Sequence, residues 1–327
     1  MDATTPNMGA SRSRSQEVLR QGTSFVIALF LISIITFVAT SAIGIDVARS
    51  VLGRQVTEEQ LQAFRDEYHL DDPIAVRYVT WLGDFVTGDW GRSPLTQRLV
   101  REDVVPRLGY TLTLSFATLA LALPVSFAIG LAVARRPDTR TDLFSSIGLV
   151  VIAATPWFVI GILLIFVFSV HLRLLPVDSS ALSFGDWPDK VRAFVLPSVT
   201  LAITLVPHFV RMIRTAVRSA LAAPYTRAAV LLGLHRRTIT WKYLLANASA
   251  PIINVIALEV IWLLGGVIVV EDVFGFPGVG QLLVEAIRSG DLITVQAIAV
   301  ITGALFLTVN LVADVIVLHL NPRLRGA

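Results

Sequence analysis

Two acidic side chains stand out because of their surroundings. Glu259 and Asp314 lie inside long apolar runs, where an ionisable group is costly and by default functional. Asn310 precedes Asp314 by one helical turn, so the two share a face and can bond to each other. Asp314 has two open readings: it faces a pathway, or it ties one helix to another. Glu259 has no evident partner in the sequence, and two isolated acids make a thin proton relay. A third acid, Glu271, ends an apolar run. Its open readings are binding of a cationic group on a solute and capping of a helix, with the structural role slightly favoured. The five histidines (His69, His171, His208, His235, His319) show no ligand spacing, so no built-in metal site is expected. Cysteine is absent, which excludes disulfides, thiolate catalysis and Cys-ligated zinc. The phosphate-cradling Gly-x4-Gly-Lys-Ser/Thr loop is missing, as are the Gly-x-Ser-x-Gly elbow and His-Glu-x-x-His. The chain is expected to be non-catalytic and to carry no cofactor.

The elements around these residues are membrane spans. Of the 327 residues, 54% are hydrophobic and 16% charged, against about 25% charged in soluble domains. Mean hydropathy is +0.71. Six runs approach the roughly 20 apolar residues a spanning helix needs: Phe25 to Gly44, Tyr110 to Ala134, Phe144 to Val170, Phe194 to Val210, Ile252 to Val270 and Thr294 to His319. The fourth is short and contains Pro197 and Pro207, so its ends are loosely defined. The first is longer than the roughly 7–15 residues of a signal-peptide core and is read as a span.

Orientation follows from the basic residues. With the N-terminus inside, the inner segments hold 15 of the 27 Lys and Arg, and eight of the rest lie in one long outer loop. That loop has about 65 residues, a length at which the rule is weak. The outer loops hold 18 of the 24 acids. Both termini are predicted to be cytoplasmic. The predicted organisation is a disordered cytoplasmic tail (1–24), a first span (25–44), a small helical outside domain (45–109), a core of five spans (110–319) and a cytoplasmic C-terminal tail (320–327).

Within the outside domain, Thr57 with Gln60 forms a capping-box pattern, followed by Leu61, Phe64 and Tyr68 at helical spacing. Asp72-Pro73 reads as an N-cap followed by proline at the first helical position. Ile74, Tyr78, Trp81 and Phe85 then make an apolar stripe, ended by the turn Gly88-Asp89-Trp90-Gly91. Two short amphipathic helices result. They pack onto the membrane or receive a partner from outside, with packing favoured. Arg135 to Asp142 is a polar turn, and His171 to Arg192 and Asp272 to Ile293 are read as outside loops.

The loop from Arg211 to Ala250 has seven basic residues and no acid. Arg211, Arg214 and Arg218 share a helical face, for which anchoring to lipid phosphates suffices. Pro224 breaks that helix, Tyr225 to Leu232 form two turns, and Gly233 ends them. A further helix is expected from Arg237 to Asn247. The short helix, with Tyr225, Leu231, Leu232 and Leu234, suits a groove on another protein.

Five stretches in order resemble the membrane permease subunits of binding-protein-dependent ABC importers, in the oligopeptide, dipeptide and nickel branch. The family's Tyr-x-Arg-x-Ala-x-Ala-Lys-Gly-Leu signature is matched at Tyr225, Arg227, Ala229, Gly233 and Leu234, with Asn247-Ala248 and Pro251 beyond. Its Glu-x-x-Phe-x-x-Pro-Gly-x-Gly run is matched at Glu271, Phe274, Pro277, Gly278 and Gly280. Its Asn-Leu-x-x-Asp run is matched at Asn310, Leu311 and Asp314, and its basic ending at Pro322 to Arg325. Leu70 to Pro73 and Gly88 to Ser93 match in the first outside loop. The chain departs at Val230, Leu231 and Leu232, which replace Arg, Ala and Lys, and at Asn321, where Asp is usual.

The resemblance implies an all-α, six-span type I importer permease, bacterial or archaeal, in the cell membrane. It implies a coupling role for Tyr225, Arg227, Ala228, Ala229, Gly233 and Leu234. Glu271, Phe274, Pro277, Gly278, Asn310 and Asp314 become candidates for the gate or pathway. Asp72, Pro73, Trp81 and Trp90 become candidates for docking of an external solute-binding protein. The implied partners are a second permease, two cytoplasmic ATPase subunits or domains, that binding protein and membrane lipid, with no nucleic acid. The expected cargo is short peptides, with nickel complexes, haem or another small solute as the alternative. An ATP-independent channel leaves the helix ending at Gly233 unexplained, and a receptor lacks room for a signalling domain.

Overall fold

The computed structural model describes residues 14–52, 72–135, 137, 139–235, 238–239, 256, 259, 262–263 and 265–320. Among them every long element is a helix, and the one β-bridge joins Arg92 to Leu99. The helices are α1 (Arg14–Leu52), α2 (Ile74–Thr87), α3 (Val100–Ala134), α4 (Arg140–Ala154), α5 (Trp157–Leu164), the short α6 (Ala181–Phe184), α7 (Trp187–Ala222) and α8 (Pro224–Leu231), followed by α9 (Gly265–Phe274), α10 (Val279–Ser289) and α11 (Leu292–Leu320). α5 widens into a π-helical stretch over Ile165–His171.

Four of these helices are long and apolar enough to cross a membrane, or six spans result if each of two bent pairs counts as one. The expected third span is not one rod. It breaks at Thr155-Pro156, and α4 meets α5 at 101°. The cause is local: proline has no N–H for the helix ladder and pushes the residue before it towards extended backbone, and Thr155 has ψ 126°. The fourth element runs well beyond the expected Phe194 to Val210. Pro197 removes the bond to the Ala193 carbonyl, and Ser179 Oγ donates to that carbonyl instead, at 3.1 Å.

Other expectations are corrected. α1 begins at Arg14, inside the segment read as a disordered tail, and runs past Gly44. α3 begins at Val100, ten residues before the expected start. The stretch Asp272 to Ile293, read as a loop, contains α10. Pro73 is the N-cap of α2 rather than its first residue, so Asp72 stands one position before the cap. The capping box at Thr57 and the stripe from Leu61 to Tyr68 lie outside the described residues, as does most of the helix expected from Arg237 to Asn247.

The core is built on α3 and α7, which pack along most of their length. Leu114, Leu201, Leu205, Phe209, Val267, Phe274 and Phe276 are buried there. α11 packs on α1, and Gly303 lets Ile32 approach closely. Gln296 of α11 donates to Thr40 of α1 within this pair.

Candidate functional site

α8 is the element that the sequence singled out. Pro224 opens it at a position where no N–H is needed, after Ala223 in extended backbone. Thr226 and Ala229 face inward, and Thr226 Oγ1 donates to the Ala220 carbonyl at 2.6 Å. The helix ends in a Schellman motif. Gly233 N–H donates to Val230 O at 3.0 Å and Leu234 N–H to Ala229 O at 3.2 Å. Gly233 has φ +71°, which costs an L-residue roughly 1–2 kcal/mol. Tyr225, Arg227 and Ala228 point outward with Val230, and Leu234 packs partly into the core. Leu231 is 88% exposed and Leu232 78%. The residues that depart from the family signature are thus the most prominent part of the knob.

The second cluster surrounds Glu271, whose side chain is fully buried. α9 ends in another Schellman motif: Gly275, at φ +55°, donates to Asp272 O, and Phe276 N–H donates to Glu271 O at 2.8 Å. The chain turns by 75° into α10. The N-cap of α10 is Gly278, which has no side chain to offer. The free N–H groups of the first turn are served from elsewhere. Val279 N–H donates to Thr111 Oγ1 at 2.9 Å, and Gly280 and Gln281 donate to Glu271 Oε2 at 2.6 and 3.3 Å. Thr111 in turn donates to Glu271 Oε1 at 2.7 Å. An acidic group at a helix N-terminus is favourable. Glu271 is therefore a helix cap that ties α3, α9 and α10 into one knot, as the capping reading expected.

The small residues of this knot have steric reasons. A Cβ on Gly278 would lie 2.1 Å from the Glu271 carboxyl carbon, and one on Gly280 would lie 2.5 Å from the Ile268 Cα. Phe276 is buried edge-on against Tyr110 and Phe194. Phe274 is buried against Gly161 of α5, and its carbonyl accepts from Ser179 N–H at 2.8 Å.

Glu259 acquires a partner that sequence spacing could not show. His208 Nδ1 of α7 lies 3.4 Å from its Oε1. Asn310 and Asp314 share α11; the Asp314 side chain lies outside the described residues. The described structure does not bring these acids together with the α8 residues. Among the described residues no three His, Asp or Glu side chains converge as metal ligands.

The arginine face of α7 is not free to reach lipid as expected. Arg214 and Arg218 both turn onto Asp142 at the start of α4, at 2.7 and 2.8 Å, and the Asp142 side chain is only 7% exposed. Arg214 also donates to Ser146 Oγ at 3.0 Å. Thr139 caps α4 by accepting from Asp142 N–H. The Thr-x-x-Asp spacing signals this cap in the sequence, within the stretch Arg135 to Asp142 read as a polar turn, but not the pairing of Asp142 with arginines more than 70 residues away.

The outside-loop candidates divide. Trp81 and Trp90 belong to a ladder of rings in which Tyr78, Trp81, Phe85 and Trp90 follow one another, with Phe37 of α1 on Tyr78 and Trp81. Tyr78 also hydrogen-bonds Ser33, with 2.7 Å between the oxygens. Asp72 and Pro73 lie exposed at the start of α2.

Two family models match the chain. Residues 125–326 match the inner membrane component of binding-protein-dependent transport systems, and residues 15–115 match the N-terminal part of such membrane components. A probable peptide ABC transporter permease of Sinorhizobium fredii is 31% identical over 313 residues, covering 94% of this chain and 98% of that protein. The glutathione transport system permease GsiC of Escherichia coli K12 is 30% identical over 312 residues, with the same coverage. The crystal structure of an amino acid ABC transporter with histidines shares the fold, with TM-score 0.50 at 20% identity over 66% of this chain and 92% of that one. With a family model across well over half its length and relatives matched nearly end to end, this chain belongs to the inner-membrane permease subunits of binding-protein-dependent ABC importers.

Proposed function

We propose that the chain is one of two six-span permeases that together form a translocation pathway for short peptides, driven by ATP hydrolysis in two cytoplasmic partner subunits. Both termini lie in the cytoplasm on this reading, and an external binding protein delivers the solute to the opposite face. The observation that carries it is α8. A two-turn helix is marginal alone, yet this one is fixed at both ends and presents Val230, Leu231 and Leu232 to solvent. A rigid knob of this kind transmits force; a purely anchoring loop needs neither the Schellman end nor the exposed leucines. The Glu271 knot, with Phe274, Pro277 and Gly278, is the candidate outer gate because one carboxyl group there fixes the angle between two helices. The peptide cargo is supported by the names of the two relatives, since glutathione is itself a γ-linked tripeptide.

The test is co-purification followed by transport. The tagged chain, extracted in mild detergent from its native membrane, is expected to bring a second six-span protein and two ATPase copies. Reconstituted in liposomes with its binding protein, the complex should accumulate labelled di- and tripeptides only with ATP inside the compartment that α8 faces. Recovery of the chain alone, or uptake that ignores ATP, would overturn the reading.

A further inference from the structure

Resting on the coupling reading just given, a different contact decides what the movement of α8 does next. α8 follows the C-terminal end of α7 after a single residue, Ala223. Arg218 lies one turn from that end and Arg214 two turns. Both grip the buried carboxyl group of Asp142 in the first turn of α4. Further along, α4 and α7 separate around a cavity of about 160 Å³ lined by Ser146, Leu149, Ala153, Pro207, His208 and Arg211. This ion pair thus bridges α4 and α7 beside the cavity, which Arg214 also lines. α4 is also one arm of the elbow at Pro156. The other arm, α5, lies flush on α9: a Cβ on Gly266 would stand 2.2 Å from the Trp157 ring, and Phe274 rests on Gly161. α9 leads directly into the Glu271 knot.

We propose that Asp142 is the positioning residue of the transport cycle: through Arg214 and Arg218 it carries the displacement of α8 into α4, and so swings the elbow on which the gate rests. A buried carboxyl group held by two guanidinium groups is suited to this. It tolerates little change of separation, because moving α4 away from both arginines would leave the buried carboxylate uncompensated. A greasy contact in the same place would let the helices slide.

The experiment uses the whole reconstituted complex. Asp142→Asn is expected to assemble with both ATPases and to keep basal hydrolysis, while solute moved per ATP falls at least tenfold; Asp142→Glu should restore most of it. Because the chain has no cysteine, spin labels at Ser219→Cys on α7 and Ile147→Cys on α4 report the joint alone once the cysteines of the partner subunits have been replaced. In the otherwise native complex their separation should stay fixed between nucleotide-free and ATP-trapped states, and in Asp142→Asn it should change. If Asp142→Asn does not assemble, Arg218→Gln, which keeps the Arg214 contact, is expected to show an intermediate loss and a partial change. Unaltered solute-to-ATP ratio in these variants, or a label distance that stays fixed without the carboxylate, would overturn the proposal. A native complex with no ATP-dependent uptake would instead remove the importer reading beneath it.

Discussion

At the residue scale the most constrained side chain is Glu271. Its two oxygens accept from Thr111, Gly280 and Gln281, and its side chain is fully buried. Glu271→Ala leaves two buried donors, on Thr111 and Gly280, and the half-buried Gln281 N–H without this partner, at about 1–3 kcal/mol for each buried one before relaxation. A net loss of about 3–5 kcal/mol is expected, read as a fall in the melting temperature of the purified complex. Glu271→Gln keeps one acceptor and a similar shape, so its loss should be nearer 1 kcal/mol. Equal melting temperatures for the two variants would show that the knot is not held by the carboxyl group. Gly233 is constrained differently. Nothing lies within 4 Å of a Cβ built there, so the demand is its positive φ alone. Gly233→Asp should leave the spans inserted while weakening association with the ATPases, because it strains the helix end and adds a charge beside the exposed leucines. Pull-down of the ATPases by the variant, with membrane insertion as control, measures this; unchanged recovery and unchanged transport would remove α8 from the coupling role.

At the element scale, α2 is held to α1 by a ladder of rings rather than by a core of its own, since none of its residues is buried. Ring pairs of this type contribute about 0.5–1.5 kcal/mol each. Trp81→Ala removes contacts with Phe37, Tyr78 and Phe85, and about 2 kcal/mol of local stability should go with it. Tyr78→Phe removes one hydrogen bond, worth about 1 kcal/mol. Faster proteolysis of the segment around α2 in Trp81→Ala than in Tyr78→Phe is the expected order. The stripe Tyr78, Trp81, Phe85 was legible from its spacing, because one face of a helix repeats every three or four residues. That it would meet Phe30 and Phe37 was not, since α1 is apolar on all sides and spacing does not say which side is covered. The break at Pro156 was equally hidden. Pro197 and Pro207 sit inside a continuous helix, so proline alone does not announce a bend; the difference lies in what receives the freed backbone groups.

At the scale of the whole molecule, topology is the open quantity that a simple measurement decides. The native chain contains no cysteine, so single cysteines can be placed and labelled from either side of the membrane. Cysteines at Leu232 and in the N-terminal segment should react from the cytoplasm, and one at Val86 of α2 should react from outside. Labelling of Leu232→Cys from outside and Val86→Cys from the cytoplasm would invert the assignment of termini, and labelling of both from one side would overturn the six-span count.

The sequence by itself determined that the chain is a membrane protein, where its apolar runs centre, and that a short helix ends at Gly233. Those properties are local: hydropathy, proline and glycine act on their own few neighbours. Whether Glu271 caps a helix or binds a cation it left open, because Asp272 to Ile293 reads as a loop in sequence and the helix that the carboxyl group caps appears only in the structure. Only the tertiary structure decided that Asp142 answers Arg214 and Arg218, that His208 answers Glu259, and that Thr111 completes the Glu271 knot from 160 residues away. A buried charge must find a partner, but the one it finds is set by which helices pack together, and α3 with α7 could not be read from either helix alone.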